Sequence, residues 1–176
     1  MRKGDDHRDT KILISVVLVF VICQILTIVA DIYEGVICSQ HNAKYSMCLS
    51  TDHIENLIHL AKTILQPVRE HFGKPVMISS GYRSPELCEA IGSSAKSQHA
   101  KGEAADFEIP GVDNMQLAIW INKNTDFDQL ILEYYEPGDP NSGWVHCSAV
   151  KEGSRAQVLK ATKVEGKTKY ENILLV

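Results

Sequence analysis

The chain predicts an α+β domain with a largely antiparallel sheet flanked by helices, preceded by an N-terminal transmembrane helix or signal segment. Three observations carry this expectation. Nineteen residues from Ile12 to Ala30 carry no charge, which is long enough to cross a hydrocarbon core as a helix. Helical spacing of apolar residues follows after Thr51. Short apolar runs bounded by turn residues then alternate with helix-capping signals as far as the C-terminus.

The N-terminal third divides into residues 1–11, a polar cytoplasmic tail; 12–30, the apolar span; and 31–50, a lead-in without clear periodicity. Arg2, Lys3, Arg8 and Lys11 precede the span and favour an N-terminus in the cytoplasm. The rest of the chain is then expected outside it. Two readings of the span stay open. Ile28-Val29-Ala30 would serve as a signal-peptide cleavage site, yet the span exceeds the usual 7–15 residues of a secretory apolar core. Its length favours an uncleaved anchor. Cleavage would leave a secreted protein.

Residues 51–176 form the expected globular domain. Asp52 and Glu55 fit a capping box opening a helix. Ile54, Leu57, Ile58, Ala61, Ile64, Leu65 and Val68 then keep helical spacing. Pro67 should kink or split this helix, and Gly73 fits its stop. Val76 to Ser79 reads as a short buried strand. Ser84-Pro85 reads as an N-cap with proline in the first turn, opening a helix to Ile91. Ala104 to Ile109 reads as a strand. Asp113 and Gln116 cap a helix to about Ile121. Phe127 to Tyr134 is a strand, residues 136–143 are dense in turn formers, and Trp144 to Val150 returns antiparallel. Gln157 to Ile173 reads as a hairpin turning at Glu165-Gly166.

Composition narrows the function. The net charge is -4, with 23% charged residues and no long like-charge run, so nothing points to nucleic acid. A monomer is expected. Of five cysteines, Cys38, Cys48, Cys88 and Cys147 would be exported. They permit two disulfides in an oxidising compartment, with Cys38 and Cys48 the nearest pair; free buried thiols are the other reading.

Two histidines and an aspartate carry the chemistry. His99 and Asp106 flank Gly102, which permits a tight reversal, and His146 follows in Trp144-Val145-His146. Two imidazoles and a carboxylate suit one zinc ion and leave a fourth position for water. The alternative is three residues unrelated in space. His53, His59 and His71 lack metal-binding spacing and read as ordinary helix histidines.

Ser79-Ser80-Gly81-Tyr82-Arg83-Ser84-Pro85, Ser97-Gln98-His99 with Gly102 and Asp106, Phe127-Asp128-Gln129-Leu130-Ile131 and Trp144-Val145-His146 occur in that order. This combination resembles the zinc D-Ala-D-Ala carboxypeptidase family, in particular its small branch of bacterial and phage peptidoglycan peptidases. The resemblance spans about Leu49 to Leu174. It implies a Hedgehog/DD-peptidase-like fold, one zinc held by His99, Asp106 and His146, and a peptidoglycan peptide substrate. It also implies that Arg83 holds substrate or a polarised oxygen.

The chain departs from the family at the base. Several members place a glutamate or histidine two or three residues before the final ligand, where this chain has Trp144 and Gly143. Glu133 is the expected substitute, because an antiparallel return would bring it beside Trp144 and His146. Glu103 and Glu108 are weaker candidates. Gln129 and Ser97 are expected to contact substrate, with an orienting role for Ser97 also open. The expected function is a zinc metallopeptidase in wall remodelling or phage lysis, anchored through residues 12–30. A non-catalytic zinc-containing wall-binding or envelope module is the alternative.

Overall fold

A computed structural model describes residues 49–140 and 142–175. The polar tail, the apolar span and nearly all of the lead-in, with Cys23, Cys38 and Cys48, lie outside the described residues. Among the described residues no helix is long and apolar enough to cross a membrane.

The first helix, α1 (Thr51–Leu60), starts earlier than the Asp52 box predicted. Ser50 is its N-cap: Ser50 Oγ accepts the His53 N–H, and the Ser50 N–H donates to His53 Nδ1, each at 3.2 Å. A serine one turn ahead therefore satisfies the free N–H groups before Asp52 can. The expected disturbance at Pro67 is real, and it sits one turn upstream. A π-helical turn, Ala61–Leu65, joins α1 to α2 (Gln66–Phe72), and the Gln66 N–H bonds the Ala61 carbonyl five residues back. Proline lacks an N–H and crowds the carbonyl four residues earlier, and widening the preceding turn accommodates both effects. Gly73, at φ 60°, closes the helix in the left-handed conformation.

Strand β1 (Met77–Ser80) corrects the buried strand expected at Val76–Ser79. It is the sheet's edge, with Met77 56% and Ile78 40% exposed. Neither residue is covered because β1 has a neighbour on one side alone. Helix α3 (Pro85–Ala90) is capped by Ser84, as expected. A 3₁₀ turn (Gln98–Lys101) leads into β2 (Ala104–Glu108). Asp113 caps α4 (Asn114–Asn124), its Oδ1 accepting the N–H groups of Met115 and Gln116. Strands β3 (Gln129–Glu133) and β4 (Trp144–Ser148) form the predicted antiparallel pair. Strands β5 (Gln157–Val164) and β6 (Lys167–Asn172) form the predicted C-terminal hairpin.

The six strands run in the order β1-β2-β4-β3-β5-β6. Every neighbouring pair is antiparallel except β3 and β5, which are parallel. Side chains alternate between the two faces of a sheet, and here the faces differ in kind. Phe107, Leu130, Leu132 and Val145 join Leu60, Ile64, Val68, Leu117 and Ile121 of the helices in the main core. The opposite face carries Asp106, His146, Gln129, Ile131, Glu133, Leu159 and Ala161. Its apolar members Ile131, Leu159 and Ala161 form a second, smaller buried cluster. Cys88 and Cys147 are both buried free thiols.

Candidate metal centre and cleft

Register builds the site. Asp106 of β2 lies opposite His146 of β4, and His146 lies opposite Ile131 of β3. The 3₁₀ turn adds His99. Ser97 Oγ caps that turn by accepting the His99 N–H at 3.3 Å. Gly102 ends it at φ 73°, where a Cβ would meet the His53 carbonyl oxygen at 2.7 Å. The glycine lets the chain reverse under α1 and deliver His99 onto the sheet face.

The three side chains are buried and converge. His146 Nδ1 lies 2.8 Å from Asp106 Oδ1, and His99 Nε2 lies 3.2 Å from both. A four-coordinate ion with ligand bonds of about 2.0–2.2 Å separates its ligand atoms by roughly 3.3–3.6 Å. The observed triangle is tighter than one face of such a tetrahedron by about 0.1–0.8 Å, so small outward shifts of the three side chains would admit an ion. The tautomer also fits. His99 Nδ1 lies 2.7 Å from the Gly81 carbonyl oxygen, which can accept but not donate, so Nδ1 carries the proton and Nε2 a lone pair. That lone pair faces the Asp106 oxygen, an arrangement that a cation between them makes attractive. These residues could therefore hold a metal ion.

Electrostatics favour the ligand forms. Burial is the largest influence on Asp106 and opposes its charge, but the two imidazoles, when they carry the protons that face it, outweigh burial and hold its carboxyl well below the usual range; a cation between them acts in the same direction. Burial holds His146 below its ordinary value despite the pull of Asp106, which favours neutral imidazole.

A cleft of about 410 Å³ opens beside the triad. Arg83, Ser97, His99, Gln129, Glu133 and His146 all line it, and Asp106 sits behind the histidines. The three expected ligands, Arg83, Glu133, Gln129 and Ser97 are thus brought to one place. Arg83 Nη2 lies 3.6 Å from Asp106 Oδ2, while its buried Nε has no hydrogen-bond partner among the described residues. Glu133 pairs with Trp144 in the β3–β4 register, one side-chain row from His146. Burial pushes its carboxyl up, Asp106 adds to the rise and Arg83 opposes it, leaving a value of about 7. Glu103 and Glu108 are the weaker candidate bases. Glu108 accepts a bond from Asn114 Nδ2 at 3.2 Å, and neither Glu103 nor Glu108 lines the cleft.

A family model described as Peptidase M15 matches residues 30–148. The chain belongs to the peptidase M15 family. Among curated proteins, none matches the chain. The M15 match contains the triad, Arg83 and Glu133, and it ends at Ser148, where β4 ends.

Sequence reasoning missed the contributions from beyond that point. Gln157 and Leu159 of β5 and Tyr170 of β6 line the cleft of this M15 chain. It also missed the pair that fixes β5. Arg155 grips buried Asp128 through Nε (3.0 and 3.1 Å) and Nη2 (2.5 Å), and the Gln157 N–H then donates to the Asp128 carbonyl. A carboxylate and an arginine 27 residues apart leave no periodic signal. Among the described residues the other histidines do structural work: His53 caps α1, His59 Nε2 meets the Val150 carbonyl at 3.2 Å, and His71 stacks on Trp120.

Proposed function

We propose that this chain is a zinc-dependent metallopeptidase that hydrolyses peptide bonds in peptidoglycan stem peptides or cross-links, as a carboxypeptidase or an endopeptidase. One observation carries the reading: His99, Asp106 and His146 converge at ion-binding separations in a cleft that also presents Arg83 and Glu133. Membership of the M15 family supports peptidase chemistry. The resemblance to D-Ala-D-Ala carboxypeptidases supports the substrate class and a Hedgehog/DD-peptidase-like architecture. Zinc suits the ligands, since two nitrogens and one oxygen leave a fourth position open.

When bound, zinc would supply Lewis acidity that polarises the scissile carbonyl and acidifies water. The chain's own groups do the rest. Glu133 as carboxylate takes a proton from the attacking water. As the C–N bond breaks, Glu133 returns that proton to the leaving amine nitrogen. A carboxyl titrating near 7 is matched to both transfers at neutral pH. Arg83, on the cleft wall, donates to the carbonyl oxygen as negative charge develops there. Gly81 and Ser97 hold the His99 ring and its turn in place. Gln129 and Ser97 contact the substrate from the walls of the cleft.

Residues 12–30 would anchor the chain with the peptidase outside the cytoplasm, or release it if they are cleaved. It would work as a monomer on wall peptides, in remodelling or in phage lysis. A second reading, peptide binding without hydrolysis, rests on Gly143 and Trp144, which offer no proton acceptor ahead of His146.

The deciding experiment incubates the protein with purified peptidoglycan, with and without a zinc chelator, and reads released peptides by mass spectrometry. Chelator-sensitive release is expected, and the product masses name the bond. No release by folded, zinc-loaded protein would overturn hydrolysis and leave the binding reading.

A further inference from the structure

The C-terminal hairpin lies beyond the residues matched by the family model, yet it builds one wall of the cleft. Its placement follows from the parallel pairing of β5 with β3, which sets Gln157 opposite Gln129, Leu159 opposite Ile131, and Ala161 opposite Glu133. Tyr170 lies opposite Ala161 on the far side. Because Ala161 is small, the Tyr170 ring borders the cleft beside Glu133. Leu159 and Ile131 make an apolar floor between the tyrosine and the two glutamines.

The glutamine pair has a specific consequence. Gln129 Nε2 donates to Gln157 Oε1 at 2.7 Å. That bond satisfies one donor and one acceptor, and it leaves Gln129 Oε1 and Gln157 Nε2 without a partner among the described residues of the cleft lining. A free acceptor and a free donor on one bonded pair complement the N–H and C=O of a peptide group. Same-face side-chain rows along a strand are about 6.6 Å apart, and Gln129 is one row from Ile131, the partner of His146. An extended peptide advances about 3.3 Å per residue, so a backbone reacting beside His146 reaches the amide pair about two residues away.

We propose that Gln129 and Gln157 form a subsite that docks one substrate peptide group about two residues from the scissile bond, over a floor of Ile131 and Leu159 and against Tyr170. The proposal rests on the peptidase reading for its substrate. It makes the hairpin a determinant of substrate length: peptides too short to reach the pair forgo two hydrogen bonds.

The test titrates full-length, metal-free protein with N-acetylated alanine peptides of two to five residues, followed by chemical-shift changes. Affinity should rise roughly tenfold at a single step in length, the worth of about two net hydrogen bonds. In Gln157→Glu, which keeps an acceptor for Gln129 Nε2 but loses the free donor, the step should shrink to roughly threefold, the worth of the one bond that remains. Gln157→Ala should behave alike, so a folding defect in one variant leaves the other to decide. No step in the unaltered protein, or an undiminished step in both variants, overturns the subsite. The same peptides are then offered to zinc-loaded protein. A binding step without cleavage of any peptide, and with no release from peptidoglycan by the same protein, supports the subsite and overturns the peptidase reading. Cleavage without a binding step overturns the subsite alone.

Discussion

The carbonyl oxygen of Gly81 lies 2.7 Å from His99 Nδ1 and thereby selects which nitrogen His99 offers to a metal. The contact joins the end of β1 to the 3₁₀ turn, and the Arg83 N–H reinforces it by donating to the His99 carbonyl at 3.2 Å. With Nδ1–H committed, Nε2 is left facing Asp106 and His146. Removing this ligand should be costly. His99→Ala is expected to weaken zinc binding at least about 100-fold, beyond the 10–100-fold typical of losing an outer partner. Competition with a chromophoric chelator measures it, and unchanged affinity would remove His99 from the ligand set.

Metal removal should also loosen the fold. Three buried ligands face one another across 2.8–3.2 Å, and an ion that binds the folded state alone stabilises it by mass action. At zinc 100-fold above its dissociation constant the gain is about 2.7 kcal/mol. Thermal unfolding with added zinc and with chelator should show the melting temperature falling on chelation and recovering on repletion. Identical melting curves would contradict a metal centre here.

Glu133 sets the pH behaviour. Its folded-state value of about 7 lies above its ordinary 4.5, so folding favours the protonated form. Metal-free protein should therefore lose stability as pH rises from 4.5 through about 7. On the proposed mechanism turnover needs the carboxylate, so kcat/KM should rise with pH across that window; a nearby cation favours the carboxylate and moves the rise to lower pH. Glu133→Gln should cut kcat by about 10²–10⁴-fold while leaving zinc affinity nearly unchanged. Full turnover in this variant would exclude Glu133 as the base.

Gly143 keeps Glu133 where it is. At φ 64°, a Cβ there would lie 1.9 Å from the Glu133 carbonyl oxygen and 2.7 Å from the Tyr134 carbonyl carbon. Backbone must move to admit it. Gly143→Ala should cost more than about 1 kcal/mol of stability and lower kcat by displacing the end of β3. Denaturant unfolding with steady-state kinetics checks both, and a fully stable, fully active variant would contradict the close approach.

Asp128 and Arg155 hold the start of β5. The Arg155 hydrogen bonds come first among the causes that bring the Asp128 carboxyl down to about 2, against burial. The lowered value is a stabilising contribution present above about pH 3.8 and lost as pH falls through about 2. Asp128→Ala should cost about 1–3 kcal/mol, since Arg155 is half exposed and part of the pair is screened. The lost stability should shrink toward zero in acid, as urea titrations at neutral pH and near pH 2 would reveal.

Much of this was legible in the chain because it is local. Ser84 before Pro85, Asp113 before α4 and Glu165-Gly166 each act within a few residues; Ser84 and the Glu165-Gly166 turn perform as read, and Asp113 caps α4 without the reciprocal Gln116 bond of a full box. Glu133 was legible through two local facts joined, the period of two along a strand and the antiparallel return after a turn. The start of α1 was misread because two capping solutions compete there, and Ser50 reaches the free N–H groups first. The exposure of β1 was hidden because an apolar run looks alike in the middle of a sheet and at its edge.

The sequence by itself determined the elements, the alternation that separates an apolar face from a functional one, and the residue types that could bind a metal. Those are set by periodicity and side-chain chemistry over a few residues. Tertiary structure decided which residues meet. It brought β5 alongside β3 in parallel, so that Gln157, Leu159 and Tyr170 reached a cleft that no local pattern assigns to them. It also closed His99, Asp106 and His146 to within about 3 Å of one another. Strand order and register follow from burying the shared apolar face against the helices, a requirement satisfied by the whole chain at once.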